Sequence, residues 1–156
     1  MKFTIVGGGF GGVKTALELA KHRHNQVTKI TDKPDFQYYP ALYGTATGRS
    51  HLQAWVPLSR IFTGKFNVEI LIDSITKVDP AKKTLKSKSG NTYEYDNLIL
   101  ALGSVTTYFG IEGLDHHSYG IKSEEEIKKL KHHLYQQMAE QHKVEKRYII
   151  IGGGPT

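Results

Sequence analysis

Two hydrophobic periods take turns along this chain. Phe3-Thr4-Ile5-Val6 is a short β-rich run that ends on glycines. From Gly11 to Arg23 the spacing lengthens, and Val13, Ala16, Leu17 and Ala20 recur on one face of a helix. Val27 to Thr31 alternates again and stops at Asp32-Lys33-Pro34. The first 32 residues therefore predict a strand, a glycine turn, a helix and a second strand. Such a unit makes a parallel pair with a right-handed crossover.

Beyond it, Phe36 to Arg49 reads as a loop dense in aromatics, with Pro40, Gly44 and Gly48. A short helix is predicted over Leu52 to Phe62, with Pro57 disturbing its pattern. Val68 to Ile72 reads as a buried strand. Ser74 to Asp79, Thr84 to Ser87 and Thr92 to Tyr95 alternate like antiparallel strands, with Pro80-Ala81-Lys82-Lys83 and Ser89-Gly90-Asn91 as turns. Leu98 to Leu102 is apolar enough for a central strand, ending at Gly103. Gly110 to Gly120 is irregular. Ser123-Glu124-Glu125-Glu126 is a capping box, and Ile127, Leu130, Leu134 and Met138 mark the apolar stripe of the helix it opens, to about Gln141. After a polar linker, Lys143 to Arg147, Tyr148 to Ile151 reads as another buried strand leading into Gly152-Gly153-Gly154-Pro155-Thr156. This repeats the design of Ile5-Val6-Gly7-Gly8-Gly9 without the helix that should follow. The expectation is a fragment of a longer protein, truncated at the start of a second Rossmann unit. The fold class expected is α/β: a Rossmann-like parallel sheet with helices and a small antiparallel insert.

Composition narrows this picture modestly. The 156 residues are 38% hydrophobic and 23% charged, a globular balance, and no apolar run nears the ~20 residues of a membrane-spanning helix. No signal-peptide layout opens the chain, so an intracellular protein is expected. The absence of cysteine excludes disulfides, thiolate metal sites and a cysteine nucleophile within these residues. The net charge of +6 favours anionic partners, but it is spread out. Lys82, Lys83, Lys86 and Lys88 fall on a hairpin, and Lys128, Lys129 and Lys131 follow three glutamates on a helix. Both groups read as solvated faces, with an anionic membrane surface as the alternative. No aromatic-interleaved basic motif supports nucleic acid. The close pairs His22 and His24, His116 and His117, and His132 and His133 lack carboxylates at ligand spacing and read as solvated, so no metal site is expected.

The chemistry lies in Gly7-x-Gly9-x-x-Gly12. The first glycine allows a tight turn, the second lets backbone approach a pyrophosphate, and the third lets helix and strand pack closely. The pyrophosphate then rests on free amides at the helix start. Asp32 stands 20 positions past Gly12 at the end of the second strand, where an acid bonds ribose hydroxyls. A plain NAD unit would continue strand–helix–strand. Here an antiparallel segment, Ser74 to Tyr95, intervenes before Leu98 to Leu102 and Ala101-Leu102-Gly103.

Over its whole length this layout resembles the FAD domain of the two-dinucleotide-binding flavoprotein reductases, the pyridine nucleotide-disulfide oxidoreductase superfamily. Phe36-Gln37, Pro40-Ala41-Leu42-Tyr43, Ala46-Thr47-Gly48, Thr107-Tyr108-Phe109-Gly110-Ile111, Gly120-Ile121-Lys122-Ser123 and Ile151-Gly152-Gly153-Gly154-Pro155-Thr156 look like type II NADH:quinone oxidoreductases. That resemblance implies FAD as cofactor, NADH as co-substrate, hydride transfer from NADH to FAD and electron transfer to a membrane quinone. It implies a protein lying peripherally on the cytoplasmic face of the membrane, and it leaves a homodimer open. It divides the chain into an FAD-binding part (1–110), a connecting loop and amphipathic helix (111–146) and the start of an NADH domain (147–156). Gly7, Gly9, Phe10, Gly11 and Gly12 would wrap the pyrophosphate. Asp32 would hold the adenosine ribose, with Lys33 beside the adenine end. Ala46 and Thr47 would lie near the flavin, and the backbone of Ile75 at the adenine. Ala101, Leu102 and Gly103 match a passage close to the cofactor, Leu102 replacing the usual threonine and its hydroxyl. Gly152 and Gly154 would begin the NADH turn. No catalytic residue is assigned.

Disulfide reductases of this superfamily carry a cysteine pair soon after the position of Asp32, where this chain has its aromatic loop, and sulfide:quinone relatives also need cysteines, some of which fall beyond these residues; disulfide reduction is therefore not expected, and sulfide oxidation is disfavoured. The loop Phe36 to Tyr43 either packs on the sheet or touches flavin or quinone. The fragment alone is expected not to oxidise NADH. The rival readings are another flavin reductase of this architecture, acting on ferredoxin, rubredoxin or a peroxide, and a non-catalytic nucleotide-binding domain.

Overall fold

The computed structural model describes residues 1–139 and 147–152. The chain divides into two compact units, Met1–Tyr38 with Trp55–Ser104, and Tyr39–Ala54 with Val105–Thr156.

In the first unit, β1 (Lys2–Val6) runs through the glycine turn into α1 (Phe10–Ala20) and returns as β2 (Gln26–Thr31). β1 and β2 pair in parallel, Ile5 opposite Lys29. The helix starts at the glycines because its sheet-facing residues, Gly12, Val13, Ala16 and Ala20, are small enough to be buried against the strands. It ends where the Asn67 amide donates to the carbonyls of Ala20, His22 and Asn25, satisfying acceptors a helix end leaves open.

β3 (Asp35–Gln37) and β4 (Trp55–Pro57) form an antiparallel pair, and α3 (Leu58–Ile61) follows β4. In the second unit, α2 covers Leu42–Ala46. β5 (Val68–Ile72) then joins β2 in parallel, and β6 (Ile75–Asp79), β7 (Thr84–Ser87) and β8 (Thr92–Glu94) make an antiparallel meander. β9 (Asn97–Leu100) returns to pair in parallel with β1. The parallel sheet therefore has the order β5-β2-β1-β9. The chain steps outward one way through β1, β2 and β5, and then crosses to the other side of β1. That reversal makes the crevice between the ends of β1 and β9 a topological switch point.

Both faces of the sheet are covered. On one, Ile5 and Val27 pack with Val13 and Ala16 of α1 and with Phe36, Leu58 and Phe62. On the other, Val6 and Ile30 pack with Leu85 of the meander, flanked by Leu71, Ile75, Val78, Tyr93, Tyr95 and Leu98. Coverage on both sides explains why β2 buries Lys29 and Thr31 on one face as well as Ile30 on the other. Each fully buried aliphatic side chain contributes about 1.5–3 kcal/mol.

The second unit holds α2, the single turn α4 (Leu114–His117) and α5 (Glu124–Ala139). The capping box is present. Ser123 Oγ accepts from the Glu126 amide at 3.1 Å, and Glu126 accepts from the Ser123 and Lys122 amides at 2.8 Å. Ile127 of the apolar stripe is buried, Leu130 and Leu134 are half-buried, and Met138 is exposed.

Several expectations need correction. The segment Phe36 to Arg49 is not all loop. Phe36 lies in β3, a 3₁₀ turn spans Tyr39–Ala41, and α2 follows. No single helix covers Leu52 to Phe62. A 3₁₀ turn (His51–Gln53) precedes β4, and Pro57, which has no amide to donate, ends the strand and caps α3. The strand predicted over Leu98 to Leu102 stops at Leu100 and is an edge, not a centre, among the described residues, leaving Leu100 and Leu102 exposed. Tyr148 to Ile151 is neither a strand nor buried. No described strand offers it a ladder, and Ile149 and Ile150 are 86% and 89% exposed.

One network locks the meander to the end of β2. The Asp73 amide donates to the Thr31 carbonyl at 2.8 Å, and the Asp73 carboxylate accepts from the hydroxyls of Ser89 and Tyr93, from the Asn91 amide and from the Ser74 backbone. The Ser89 hydroxyl, then that of Tyr93, holds this carboxyl far below the usual carboxylate range. A depressed pKa in the folded state means that the stabilisation is present above the unfolded value of about 4 and fades as pH falls towards the folded one. Asp73→Asn should therefore lower the melting temperature at neutral pH and flatten its fall below about pH 4. Parallel acid melts of the two proteins with equal slopes would remove the network from the account.

Candidate functional site

The glycine turn sits at the switch point, and each glycine answers to a different constraint. Gly7 has φ of +123°, and a methyl there would lie 2.1 Å from the Ala101 carbonyl oxygen. A methyl on Gly12 would lie 2.2 Å from the Gly7 carbonyl oxygen. Gly9 differs: nothing lies within 4 Å of a Cβ built on it. Two glycines thus allow backbone to approach backbone, and the third leaves an open face. Gly11 is exposed, and a Cβ there would meet only the Ala101 methyl at 3.6 Å.

Gly9 is the N-cap of α1 and makes no side-chain bond, and its carbonyl accepts from the Val13 amide at 2.9 Å. Helix geometry leaves the first-turn amides without carbonyls inside the helix. No acidic residue occupies that turn. An open backbone cradle at the positive end of an eleven-residue helix fits a pyrophosphate. Phe10 is half exposed. Its ring meets that of Phe36 edge-on at 4.8 Å and that of Tyr38 at 5.8 Å. Phe36 of the aromatic loop is therefore a packing residue, buried in the core beside α1.

Ala101, Leu102 and Gly103 continue past β9 on the other side of the crevice. The Ala101 amide donates to the Val6 carbonyl at 2.8 Å, Leu102 is 71% exposed, and Gly103 has φ of +77°. Asp32 is exposed just after β2, and Lys33 is half-buried beside it. Ile75 begins β6 with its side chain partly buried in the meander-side core. Ala46 is buried at the end of α2. Thr47 is exposed, with its hydroxyl on the Tyr43 carbonyl at 3.0 Å, and both belong to the second unit. Gly152 has φ of +110°. Gly154 lies outside the described residues.

Two residues escaped the sequence reading. Thr31 is buried, and its hydroxyl lies 2.4 Å from where a Gly8 Cβ would be. It also bonds the Lys33 carbonyl and amide at 3.3 and 3.4 Å, joining the glycine turn to the Asp32 turn. Lys29 is fully buried, and its ammonium donates to the Gly7 carbonyl. Val27, Lys29 and Thr31 share one face of a strand whose other face is also covered, so a lysine and a threonine that alternation would place towards solvent are buried.

A cleft of about 500 Å³ lies elsewhere, lined by Lys2, Thr4, Thr28, Lys83, Glu94 and Asp96 among others. It opens at the amino ends of β1 and β2, whereas open α/β sheets bind ligands at the carboxyl ends. Among the described residues no group of histidine, aspartate and glutamate is placed to hold a metal. His133 instead stacks on Tyr119 at 4.9 Å. No described helix is long and apolar enough to cross a membrane.

The sequence model of the family described as pyridine nucleotide-disulphide oxidoreductase matches residues 1–156. The chain belongs to that family. It is 35% identical to the sulfide-quinone reductase of Aquifex aeolicus (strain VF5), across 75% of this chain and 27% of that protein. It is 29% identical to the type II NADH:quinone oxidoreductase Ndh of Mycobacterium tuberculosis (strain ATCC 25618 / H37Rv), across 99% of this chain and 36% of that one. The X-ray structure of the Aquifex aeolicus sulfide:quinone oxidoreductase superposes with a TM-score of 0.79 at 32% identity, covering 89% of this chain and 32% of that chain. The chain thus spans about a third of the length of the curated relatives it matches, 27% and 36% of the two above. In this chain the meander, in place of a helix, covers the second face of the parallel sheet.

Proposed function

We propose that residues 1–110 are part of an FAD-binding domain, with 111–146 a connecting loop and helix and 147–156 the start of an NADH domain. The whole protein would be a flavoprotein that passes reducing equivalents from NADH to a membrane quinone. The observation that carries this reading is the open face of Gly9 between the ends of β1 and β9, in a chain similar over 99% of its length to a type II NADH:quinone oxidoreductase. Bound FAD would supply hydride acceptance and electron release. The chain's own residues would hold and orient it. Backbone of Gly7, Gly9, Phe10, Gly11 and Gly12 would receive the pyrophosphate, and the Asp32 carboxylate would accept from ribose hydroxyls. Lys33 and the Ile75 backbone would stand at the adenine end. Ala101, Leu102 and Gly103, with Ala46 and Thr47, would border the flavin, and Gly152 and Gly154 would serve the NADH turn. The protein would work peripherally on the cytoplasmic membrane face, its basic surface towards anionic lipid, as a monomer or homodimer.

The 35% identity to a sulfide-quinone reductase supports a second reading, with sulfide as the electron donor. Both share the quinone, and the absence of cysteine from these 156 residues favours NADH. The test uses full-length protein with visible flavin absorbance. NADH should bleach it, a soluble quinone should restore it, and sulfide should do neither. Bleaching by sulfide alone selects the second reading, restoration by rubredoxin or ferredoxin but not by quinone rejects the quinone, and no flavin binding rejects both. The isolated 156-residue chain should show no NADH:quinone turnover.

A further inference from the structure

Lys29 occupies the centre of β2, and its side chain is completely buried. On its face of the sheet stand Ile5 of β1 and Ile70 of β5, its register partners. Its ammonium donates to the Gly7 carbonyl and lies 2.9 Å from where a Gly12 Cβ would be. It is thus lodged directly beneath the glycine turn, at the amino-terminal end of α1.

That is an unfavourable place for a cation. The amino end of a helix carries positive charge of its own, and a buried ammonium has lost its water. Among the described residues no carboxylate offsets it, and burial is the one cause that displaces its titration. On α1, Lys14 and Glu18 point to solvent and pair with each other. On β5, Glu69 stands opposite Thr28, on the other face of the sheet. On β1, Lys2 is exposed, and past the end of β2 Asp32 and Lys33 belong to a turn. Burial alone pushes the Lys29 ammonium down to about 8. A local arrangement that costs the fold without visible return marks a place where a missing group completes the balance. The group that would complete this one is an anion on the opposite side of the turn.

We infer that Lys29 is a positioning residue for a dinucleotide pyrophosphate: its ammonium holds the Gly7 peptide in place and sets a fixed positive charge behind the anion site. This rests on the reading of the glycine turn as the FAD site. The Gly7 carbonyl points at Lys29, away from the open face at Gly9, and a peptide polarised in this way presents a stronger amide donor. The pH dependence follows. Below about pH 8 Lys29 is already charged and binding moves no proton. Above it the free protein has largely lost that proton, so binding an anion takes one up and affinity falls as pH rises.

The test is calorimetric titration of FAD into the full-length apoprotein in two buffers of different ionisation enthalpy, at about pH 7 and about pH 9. Wild type should take up close to no proton at the lower pH and a substantial fraction of one at the higher, with weaker binding there. Lys29→Met should bind FAD about tenfold more weakly at pH 7 and take up no proton at either pH. Without FAD it should melt at or above the wild-type temperature, because a buried unpaired charge is gone. Wild type that binds FAD without proton uptake at pH 9 overturns the inference, whether or not the variant folds. So does a Lys29→Met protein with wild-type affinity and uptake. Wild type that binds no FAD at either pH overturns instead the cofactor reading beneath it.

Discussion

Gly7→Ala is expected to cost the fold about 3 kcal/mol or more, while Gly9→Ala leaves stability within about 0.5 kcal/mol of wild type. The two glycines stand two residues apart in the same turn, and propensity alone would rank them alike. At Gly7 a side chain meets two penalties. The backbone at φ of +123° is one that L-residues rarely adopt, and the added methyl would overlap the Ala101 carbonyl oxygen at 2.1 Å. That oxygen belongs to a backbone pinned by the Ala101 amide bond to Val6, so the clash is relieved only by parting β1 from β9 at the switch point. At Gly9 φ is −80° and nothing lies within 4 Å. A methyl there enters open space. Gly9→Ala should fold normally and lose FAD affinity by about tenfold or more, since on the proposed reading the methyl would stand where the pyrophosphate approaches. Denaturant titration of both variants, followed by FAD titration of Gly9→Ala, checks both halves. A Gly9→Ala protein with unchanged affinity would place the cofactor elsewhere.

This contrast shows how far the site could be read from sequence. The spacing of Gly7, Gly9 and Gly12, the helix they open and the position of Asp32 were all legible, because each follows from local chain geometry. So were the meander turns, at Pro80 to Lys83 and Ser89 to Asn91. What escaped depended on partners distant in sequence. Leu98 to Leu102 looks central by hydrophobicity, yet hydrophobicity reports burial on faces, not the number of neighbouring strands. Tyr148 to Ile151 has the composition of a strand, but pairing needs a second edge. Leu52 to Phe62 mixes residues from a turn, a strand and a helix, and only the pairing of β4 with β3 separates them. Lys29 and Thr31 were passed over because lysine and threonine in a strand suggest a solvent face, and here both faces are covered. The fit of Asp73 to Ser89 and Tyr93 likewise needs the meander folded before it exists.

Leu85→Ala should be the most damaging substitution outside the glycine turn, at about 2–5 kcal/mol. Leu85 lies in the middle strand of the meander, opposite Val78 on one side and Tyr93 on the other, and is fully buried. With Val6 and Ile30 it forms the contact between meander and parallel sheet. Truncation leaves a cavity bounded by two sheets whose own hydrogen bonding keeps them from collapsing to fill it. Ile72→Ala, at a side chain already 54% exposed, removes similar chemistry without such a cavity and should cost under about 1 kcal/mol. The comparison isolates what the meander does for the site. Val6 and Ile30 lie at the carboxyl ends of β1 and β2. One precedes the glycine turn, and the other has its carbonyl bonded to the Gly7 amide. Loosening Leu85 therefore loosens the support of the turn from the face opposite α1. Leu85→Ala should lose cooperativity in denaturant as well as stability, seen as a shallower transition, and added FAD should recover part of both by binding the folded state. If Leu85→Ala unfolds as sharply and as late as Ile72→Ala, the meander is an appendage to the dinucleotide fold rather than one of its walls.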